Sequence, residues 1–329
     1  MNAKRPVVAT VIGDPSGIGP EIVAKAWSKG RVHQTSRPVL IGCIESINAA
    51  VQQNNLGLKV RKVESVDELA DSSSIIDVLD TGLLNPDSIV VGQSTAACGK
   101  ASAAWLEQAK KMYDRGEIAA ITLAPIDTVA MKMAGVLEQL VPTVPGNTYI
   151  MLVSGPLRIA HVTDHIPLRD VGHLLTIDLV EKAITVFDEA LRKWGISNPL
   201  IGVSGFNPHA MGKEEDEQIA PAVTRAKAKG MNVVGPVSPD AVFRHCIDGH
   251  YDAVLAMYHD QGHIAVKTSN FSGNCVVELG SQHLLLSVGH GVAYDIVGQG
   301  VADFRMMESA MVTAGSFASG GRFPCDTFG

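Results

Sequence analysis

The sequence predicts an α/β fold with a largely parallel sheet. Short apolar runs alternate with amphipathic helical stretches from one end to the other, the pattern of strand–helix–strand units. A chain of 329 residues with 46% apolar and 19% charged residues is globular and can bury a large core. The run Val141-Pro142-Thr143-Val144-Pro145-Gly146 breaks the pattern and marks a change of domain between residues 140 and 150.

In order, Val7 to Gly13 reads as the first strand. Gly19-Pro20-Glu21 opens a helix through Trp27, with Pro20 in the first turn, where its missing N–H has no partner to lose. Pro38 to Gly42 is a second strand, Ala101 to Tyr113 a helix, and Ala119 to Ala124 the strand after it. Strands follow at Leu157 to Val162, Leu200 to Phe206 and Ala253 to Tyr258. His173 to Trp194 is the longest amphipathic stretch, closed by Gly195, and Glu214 to Lys229 is another, closed by Gly230. Ala302 to Ala314 is the last helix, and the tail from Gly315 is expected to be loose.

A net charge of -7 without a long Lys/Arg run argues against a nucleic-acid partner. No stretch approaches the roughly 18 apolar residues of a membrane span. The first residues, Met1-Asn2-Ala3-Lys4-Arg5-Pro6, carry no signal-peptide core. Cys43, Cys98, Cys246, Cys275 and Cys325 are scattered without a CxxC pair and fit reduced thiols, so a cytoplasmic setting is expected.

Three histidines stand in polar surroundings just after apolar runs: His165 in Thr163-Asp164-His165-Ile166-Pro167, His209 in Asn207-Pro208-His209-Ala210, and His259 in Tyr258-His259-Asp260-Gln261. Imidazole is the commonest metal ligand, and three ligands leave positions open for a substrate. Three strand ends converging on one divalent metal would make a metal-assisted enzyme. Taken singly, each histidine also fits a polar turn. Gly13-Asp14-Pro15-Ser16-Gly17-Ile18-Gly19 joins strand to helix; it fits an anion-holding loop or a tight turn, and matches neither GxGxxG nor a P-loop.

The segment Gly289-His290-Gly291-Val292-Ala293-Tyr294-Asp295-Ile296-Val297-Gly298-Gln299-Gly300 resembles the cofactor loop of the β-decarboxylating dehydrogenases. The resemblance implies NAD binding by His290, Gly291, Asp295, Ile296 and Gly298, with His290 against the adenine and Asp295 accepting from the adenosine ribose. A carboxylate there repels the extra phosphate of NADP. Over its whole length the chain resembles the 4-hydroxythreonine-4-phosphate dehydrogenase family. The motifs are GDPSGIGPEI from Gly13, HVTDHIPL from His161, NPHA from Asn207, Gly235-Pro236 with Asp240 and Phe243, MYHDQGH from Met257, Lys267, and the loop from Gly289.

That resemblance implies an isopropylmalate/isocitrate dehydrogenase-like fold: two α/β domains with a cleft between them. Residues 1–140 with 282–329 would carry the NAD loop, and residues 141–281 the metal ligands and dimer interface. It implies a divalent metal (Zn, Mg, Mn or Co) on His165, His209 and His259, and a homodimer with the active site at the interface. It also makes Asp240 and Lys267 candidates for proton transfer and substrate anchoring.

The departures concern the substrate. The family's asparagine position holds Val276, its arginine position Leu285, and the aspartate before His290 is Gly289. The family's GHTE motif is absent; Gly146-Asn147-Thr148-Tyr149 stands nearest to it. Leu285 cannot supply the guanidinium fork that suits phosphate. This predicts a non-phosphorylated hydroxy or cis-diol carboxylate as substrate, as in the similar terephthalate cis-dihydrodiol dehydrogenase branch, oxidised and then decarboxylated. The alternatives are a phosphorylated four-carbon hydroxy acid, with Arg169 or Lys132 as the cation, and a metal-dependent lyase that makes no net use of NAD.

Overall fold

The computed structural model describes residues 5–140 and 144–324. Val141-Pro142-Thr143, the start of the expected domain break, and Cys325 lie outside the described residues. In chain order the strands are β1 (Val7–Val11), β2 (Arg37–Ile41), β3 (Lys59–Lys62), β4 (Ile75–Leu79), β5 (Ala120–Leu123), β6 (Tyr149–Ser154), β7 (Leu157–His161), β8 (Ile201–Ser204), β9 (Val233–Val237), β10 (Ala253–Ala256), β11 (Cys275–Leu279) and β12 (Leu285–Ser287). The chain divides into two compact units, Met1–Val141 with His283–Ser319, and Pro142–Gln282 with Gly320–Gly329.

In the first unit the strand order is β3-β4-β2-β1-β5-β12, and every pair is parallel. Central strands of such a sheet are covered on both faces, so they read as continuous apolar runs. β1 and β5 do so, and their one polar pair, Thr10 and Thr122, is matched in register with hydroxyls 2.8 Å apart. The helix expected from Ala101 begins earlier, at Ala96, because Thr95 caps it by accepting from the Cys98 N–H at 3.2 Å.

In the second unit the order is β11-β6-β7-β10-β8-β9. β7, β10, β8 and β9 are parallel, while β11, β6 and β7 run antiparallel. β6 and β7 form a hairpin over Gly155-Pro156, with Gly155 at the positive φ (54°) that its two-residue turn requires. The sheet of this unit is therefore mixed, not largely parallel, because β6 and β11, absent from the strands expected from the sequence, pair antiparallel.

Four other expectations shift. The stretch taken as one helix from His173 is two, Leu168–Leu174 and Ile177–Lys193, separated where Thr176 caps the second through the Leu179 N–H. Glu214 to Lys229 starts with a π-turn, Glu215–Ile219, ahead of Pro221, whose ring cannot donate a helical hydrogen bond. The last helix runs Arg305–Ala318, so Gly315 is not the start of a loose tail: it is buried, where an added Cβ would lie 2.5 Å from the Thr35 hydroxyl. Residues 320–324 join the second unit, not the first, as Phe323 packs edge-on against Trp194 and beneath Arg158. Among the described residues no helix is long and apolar enough to cross a membrane.

Candidate active site

The parallel strands of the second unit set up the site. β10 lies between β7 and β8, with Ala256 opposite His161 and Leu255 opposite Val203, so all three strands end at one edge of the sheet. Loops beyond the carboxyl ends of parallel strands are where α/β folds place ligands. Here those loops carry Asp164-His165, His259 and His209. Thr163 extends the β7 edge by donating its hydroxyl to the Met257 carbonyl at 2.9 Å. Gln261 fastens the neighbouring loops, accepting from the Met257 N–H at 2.7 Å and donating to the Gly205 carbonyl at 2.9 Å.

Two of the three expected histidines meet, and they meet a carboxylate. Ligand atoms of Asp164, His165 and His259 all lie within 4.8 Å of one another, and the two imidazole centroids are 5.0 Å apart. His259 Nδ1 is 2.7 Å from Asp260 Oδ1, and His165 Nδ1 is 3.2 Å from Asp164 Oδ2. A ring held through Nδ1 keeps Nε2 for a metal, and the carboxylate raises its basicity. Accordingly the His165 pKa is raised, chiefly by its hydrogen bond to Asp164, while the Asp260 carboxyl is lowered, chiefly by its bond to His259. Asp164 is buried (side chain 7% exposed) beneath an exposed His165 (79%).

Two further imidazoles stack behind this pair. His263 follows His259 by one helical turn, with ring centroids 3.7 Å apart and planes 15° apart, and its Nδ1–H donates to the His259 carbonyl at 3.1 Å. His161 stacks on His263 at 5.0 Å. Its Nδ1 is 3.2 Å from the Ile150 carbonyl, and its buried Nε2 has no hydrogen-bond partner among the described residues. Burial pushes the His161 pKa down to about 3 and that of His263 to about 4, so both rings are neutral in the folded chain at neutral pH. Gly262 makes room for the stack: an added Cβ would stand 2.2 Å from His161 Nε2.

His209 stands apart from this cluster. It is exposed and takes a positive φ of 56° in a loop drawn in by the buried Glu215. Glu215 Oε1 accepts from the Phe206 and Asn207 N–H groups at 2.6 and 2.7 Å, and Asn207 Nδ2 reaches Glu214 and Glu215, each at 2.8 Å. Asp240 is held by the Ser238 hydroxyl at 2.6 Å, which lowers its pKa. Lys267 lies two turns beyond His259 in the helix His259–Ser269. Asp164 is the donor that motif reasoning missed. Its signal was its place beside His165 on a strand-end loop.

In the first unit the 289–300 loop packs on the 13–19 loop. Val292 O accepts the Ile18 N–H at 3.0 Å, and a Cβ on Gly17 would meet Val292 at 2.9 Å. Around Gly291 and Gly298 nothing among the described residues lies within 4 Å of an added Cβ, so the backbone there leaves room for a close-lying ligand. Asp295 is exposed, and its carboxylate has no hydrogen-bond donor among the described residues. His290 Nδ1 is 3.0 Å from the Gly291 carbonyl, and Ile296 donates its N–H to the Ala293 carbonyl.

Gly13 to Gly19 is a packing turn and not an anion cradle. Four of its N–H groups are already bound: Asp14 to the Pro125 carbonyl, Ser16 to the Asp14 side chain, Gly17 to the Asp14 carbonyl and Ile18 to Val292. Its glycines are needed for closeness: an added Cβ on Gly13 or Gly19 would come within 2.1 or 2.2 Å of a carbonyl oxygen. Thr148, near the missing substrate motif, uses its hydroxyl to accept from the Val144 N–H at 2.8 Å. Val276 packs against the apolar core of the second unit, and Leu285 sits half-buried on β12 beside Ile121.

The family model described as "Pyridoxal phosphate biosynthetic protein PdxA" matches residues 34–314. A protein of Novosphingobium aromaticivorans with the provisional name 4-hydroxythreonine-4-phosphate dehydrogenase is 48% identical over 319 residues, 97% of each chain. One from Halalkalibacterium halodurans, provisionally a D-threonate 4-phosphate dehydrogenase, is 34% identical over 326 residues, covering 96% of this chain and 98% of the other. Among solved structures, a 4-hydroxythreonine-4-phosphate dehydrogenase of Klebsiella pneumoniae superimposes with a TM-score of 0.84 at 34% identity, over 95% of this chain and 99% of that one. A terephthalate 1,2-cis-dihydrodiol dehydrogenase of Burkholderia xenovorans gives 0.62 at 30% identity, over 97% and 99%.

Likeness at this level, over nearly the whole length, makes the chain an oxidoreductase acting on CH–OH groups. It belongs to the PdxA family. The expectation of a non-phosphorylated substrate finds less support: the relatives with greater identity are named for phosphate esters, and the diol enzyme stands further off.

Proposed function

We propose that this chain is a metal-dependent dehydrogenase that passes hydride to NAD from a phosphorylated four-carbon hydroxy acid, 4-hydroxythreonine 4-phosphate or a close relative. The observation that carries the reading is the Asp164–His165–His259 donor set at the strand ends, in a family whose members are named for such substrates. Two imidazoles and a carboxylate suit zinc, manganese or cobalt better than magnesium, which prefers oxygen donors. When bound, the metal supplies Lewis-acid polarisation of the substrate's oxygen atoms.

The chain's own residues do the rest. Asp260 and Asp164 hold the two rings in place. Lys267 and Asp240 are assigned to substrate anchoring and proton transfer. Asp295 receives the adenosine ribose hydroxyls, and His290, Gly291, Ile296 and Gly298 line the same loop. His209, turned outward, is assigned to the metal site of a second copy in a homodimer. Oxidation of a 3-hydroxy acid at C3 gives a β-keto acid, which then loses carbon dioxide. An isopropylmalate dehydrogenase-like division of labour follows, with cofactor residues on the first unit and metal ligands on the second.

Because Leu285 carries no charge, the phosphate needs another cation. Arg169, exposed four residues after His165, and Lys267 are in the same unit as the metal cluster. A second reading, a cis-diol carboxylate, is favoured by the apolar Val276 and Leu285 and by the 30% likeness to the diol enzyme. NADH formation with added metal, measured in parallel on 4-hydroxythreonine 4-phosphate and a carboxylated cis-dihydrodiol, separates the two. Turnover of the ester supports the proposal, and turnover of the diol alone replaces it with the second reading.

A further inference from the structure

A buried polar cluster beneath the 289–300 loop plays no part in the mechanism above. Asp14 and Asp127 are 0% and 7% exposed, and neither has an ion-pair partner among the described residues. Tyr294 Oη lies 3.0 Å from Asp14 Oδ2 and 2.8 Å from Asp127 Oδ2. A phenol carries one hydrogen and can donate to only one of them. With both carboxylates ionised, one of these contacts would hold no proton, between two buried anions. A second proton makes both contacts hydrogen bonds; the Ser16 hydroxyl, 3.4 Å from Tyr294 Oη, is the other polar group against the phenol.

The neighbours say where it resides. Asp127 is purely an acceptor: the Ser94 hydroxyl, the Val129 N–H at 2.9 Å and Tyr294 all point at it. Asp14 Oδ1 accepts from the Ser16 N–H and hydroxyl at 2.8 and 2.5 Å, while its Oδ2 faces Tyr294. Burial raises the Asp14 pKa, whereas at Asp127 the hydrogen bonds from Ser94, Tyr294 and the backbone overcome burial and lower it. The other titratable group at the cluster is the buried thiol of Cys98.

We propose that Tyr294 is a positioning residue that fastens the 289–300 loop through a directed chain: neutral Asp14 donates to Tyr294, and Tyr294 donates to ionised Asp127. The chain adds a side-chain tie among three segments that already touch through the backbone, Ile18 N–H on the Val292 carbonyl and Asp14 N–H on the Pro125 carbonyl. Ser16 belongs to the 13–19 loop and accepts the Gly92 N–H through its carbonyl at 2.8 Å, while Ser94 and Asp127 hold the far side. That the fastened loop is a cofactor seat rests on the function proposed above; the fastening itself does not.

The direction of the chain makes the two aspartates unequal. Asp14→Asn preserves it, since an amide N–H₂ donates to Tyr294 as the neutral acid does and the amide oxygen still accepts from Ser16. Asp127→Asn breaks it, because an N–H₂ would face two hydroxyl donors. Tyr294→Phe removes both bonds with the least change of shape, and serves if Asp127→Asn does not fold.

The test is hydrogen exchange of the 289–300 segment in the full chain without nucleotide, with NAD titration as a separate arm. Asp14→Asn should leave exchange near the wild-type rate, and Asp127→Asn and Tyr294→Phe should speed it by about tenfold or more, the loss of a hydrogen bond to a charged group. Infrared difference spectra at neutral pH should show a protonated carboxyl band in the wild type that is missing from Asp14→Asn. Equal loosening by both asparagine variants, unchanged exchange in Tyr294→Phe, or no protonated carboxyl overturns the proposal. If the asymmetry holds and the wild type binds no NAD, the fastening stands and the cofactor reading fails.

Discussion

Acidification is expected to destabilise the second unit through His161. The ring is fully buried, and burial, followed by the nearby His263, lowers its pKa from 6.5 to about 3, with Asp164 opposing. Below 6.5 the unfolded chain takes up a proton that the folded chain refuses, so stability falls as pH falls, from about 6.5 down to about 3. At about pH 5 the loss is about 2 kcal/mol, from 1.36 kcal/mol for each pH step below the unfolded value. For a unit of this size that corresponds to a Tm lower by about 4–8 °C. The assay is thermal unfolding of the metal-free protein at neutral pH and at about pH 5, followed by circular dichroism, for wild type and His161→Leu. The variant removes a buried nitrogen that has no partner among the described residues, and its acid-induced fall should be smaller than the wild type's by about 2 kcal/mol. His263, lowered to about 4, contributes in both proteins and cancels. An equal fall in the two proteins, or a wild type that gains stability in acid, would refute the reasoning.

Two more outcomes follow. Gly262→Ala puts a Cβ 2.2 Å from His161 Nε2 and 2.7 Å from Ile159, so denaturant unfolding should show a loss of about 1–3 kcal/mol, as for an overpacked core. Asp295→Ala should weaken NAD by about tenfold to a hundredfold in a fluorescence titration, the value of a hydrogen bond to a charged acceptor, and leave the far-UV spectrum unchanged.

Much of the site was legible because its signals are local. The runs Leu157 to Val162, Leu200 to Phe206 and Ala253 to Tyr258 each read as a strand with a histidine beyond it, and β7, β8 and β10 are indeed adjacent and parallel. The third donor was only half legible: Asp164 stands beside His165 in the sequence, but it meets His259 through the pairing of β7 with β10, which no local pattern specifies. The same holds for Tyr294, whose partners Asp14 and Asp127 come from two distant loops. The Gly13–Gly19 loop misled for a different reason. Glycine spacing alone cannot show that the Asp14 side chain and nearby carbonyls already hold four of the loop's N–H groups. β6 escaped because it joins β7 over a two-residue turn in a chain that otherwise alternates strand and helix, and β11 because it pairs with β6 from far along the chain, which no local pattern specifies.

The measurement that bears most directly on the function is NADH formation from 4-hydroxythreonine 4-phosphate by chelator-treated enzyme, with zinc, manganese or cobalt added back, for wild type and His259→Ala. Turnover is expected to vanish on chelation, to return with metal in the wild type, and to stay absent in the variant. Chelator-resistant turnover, or full metal-dependent turnover by His259→Ala, would contradict the site described here.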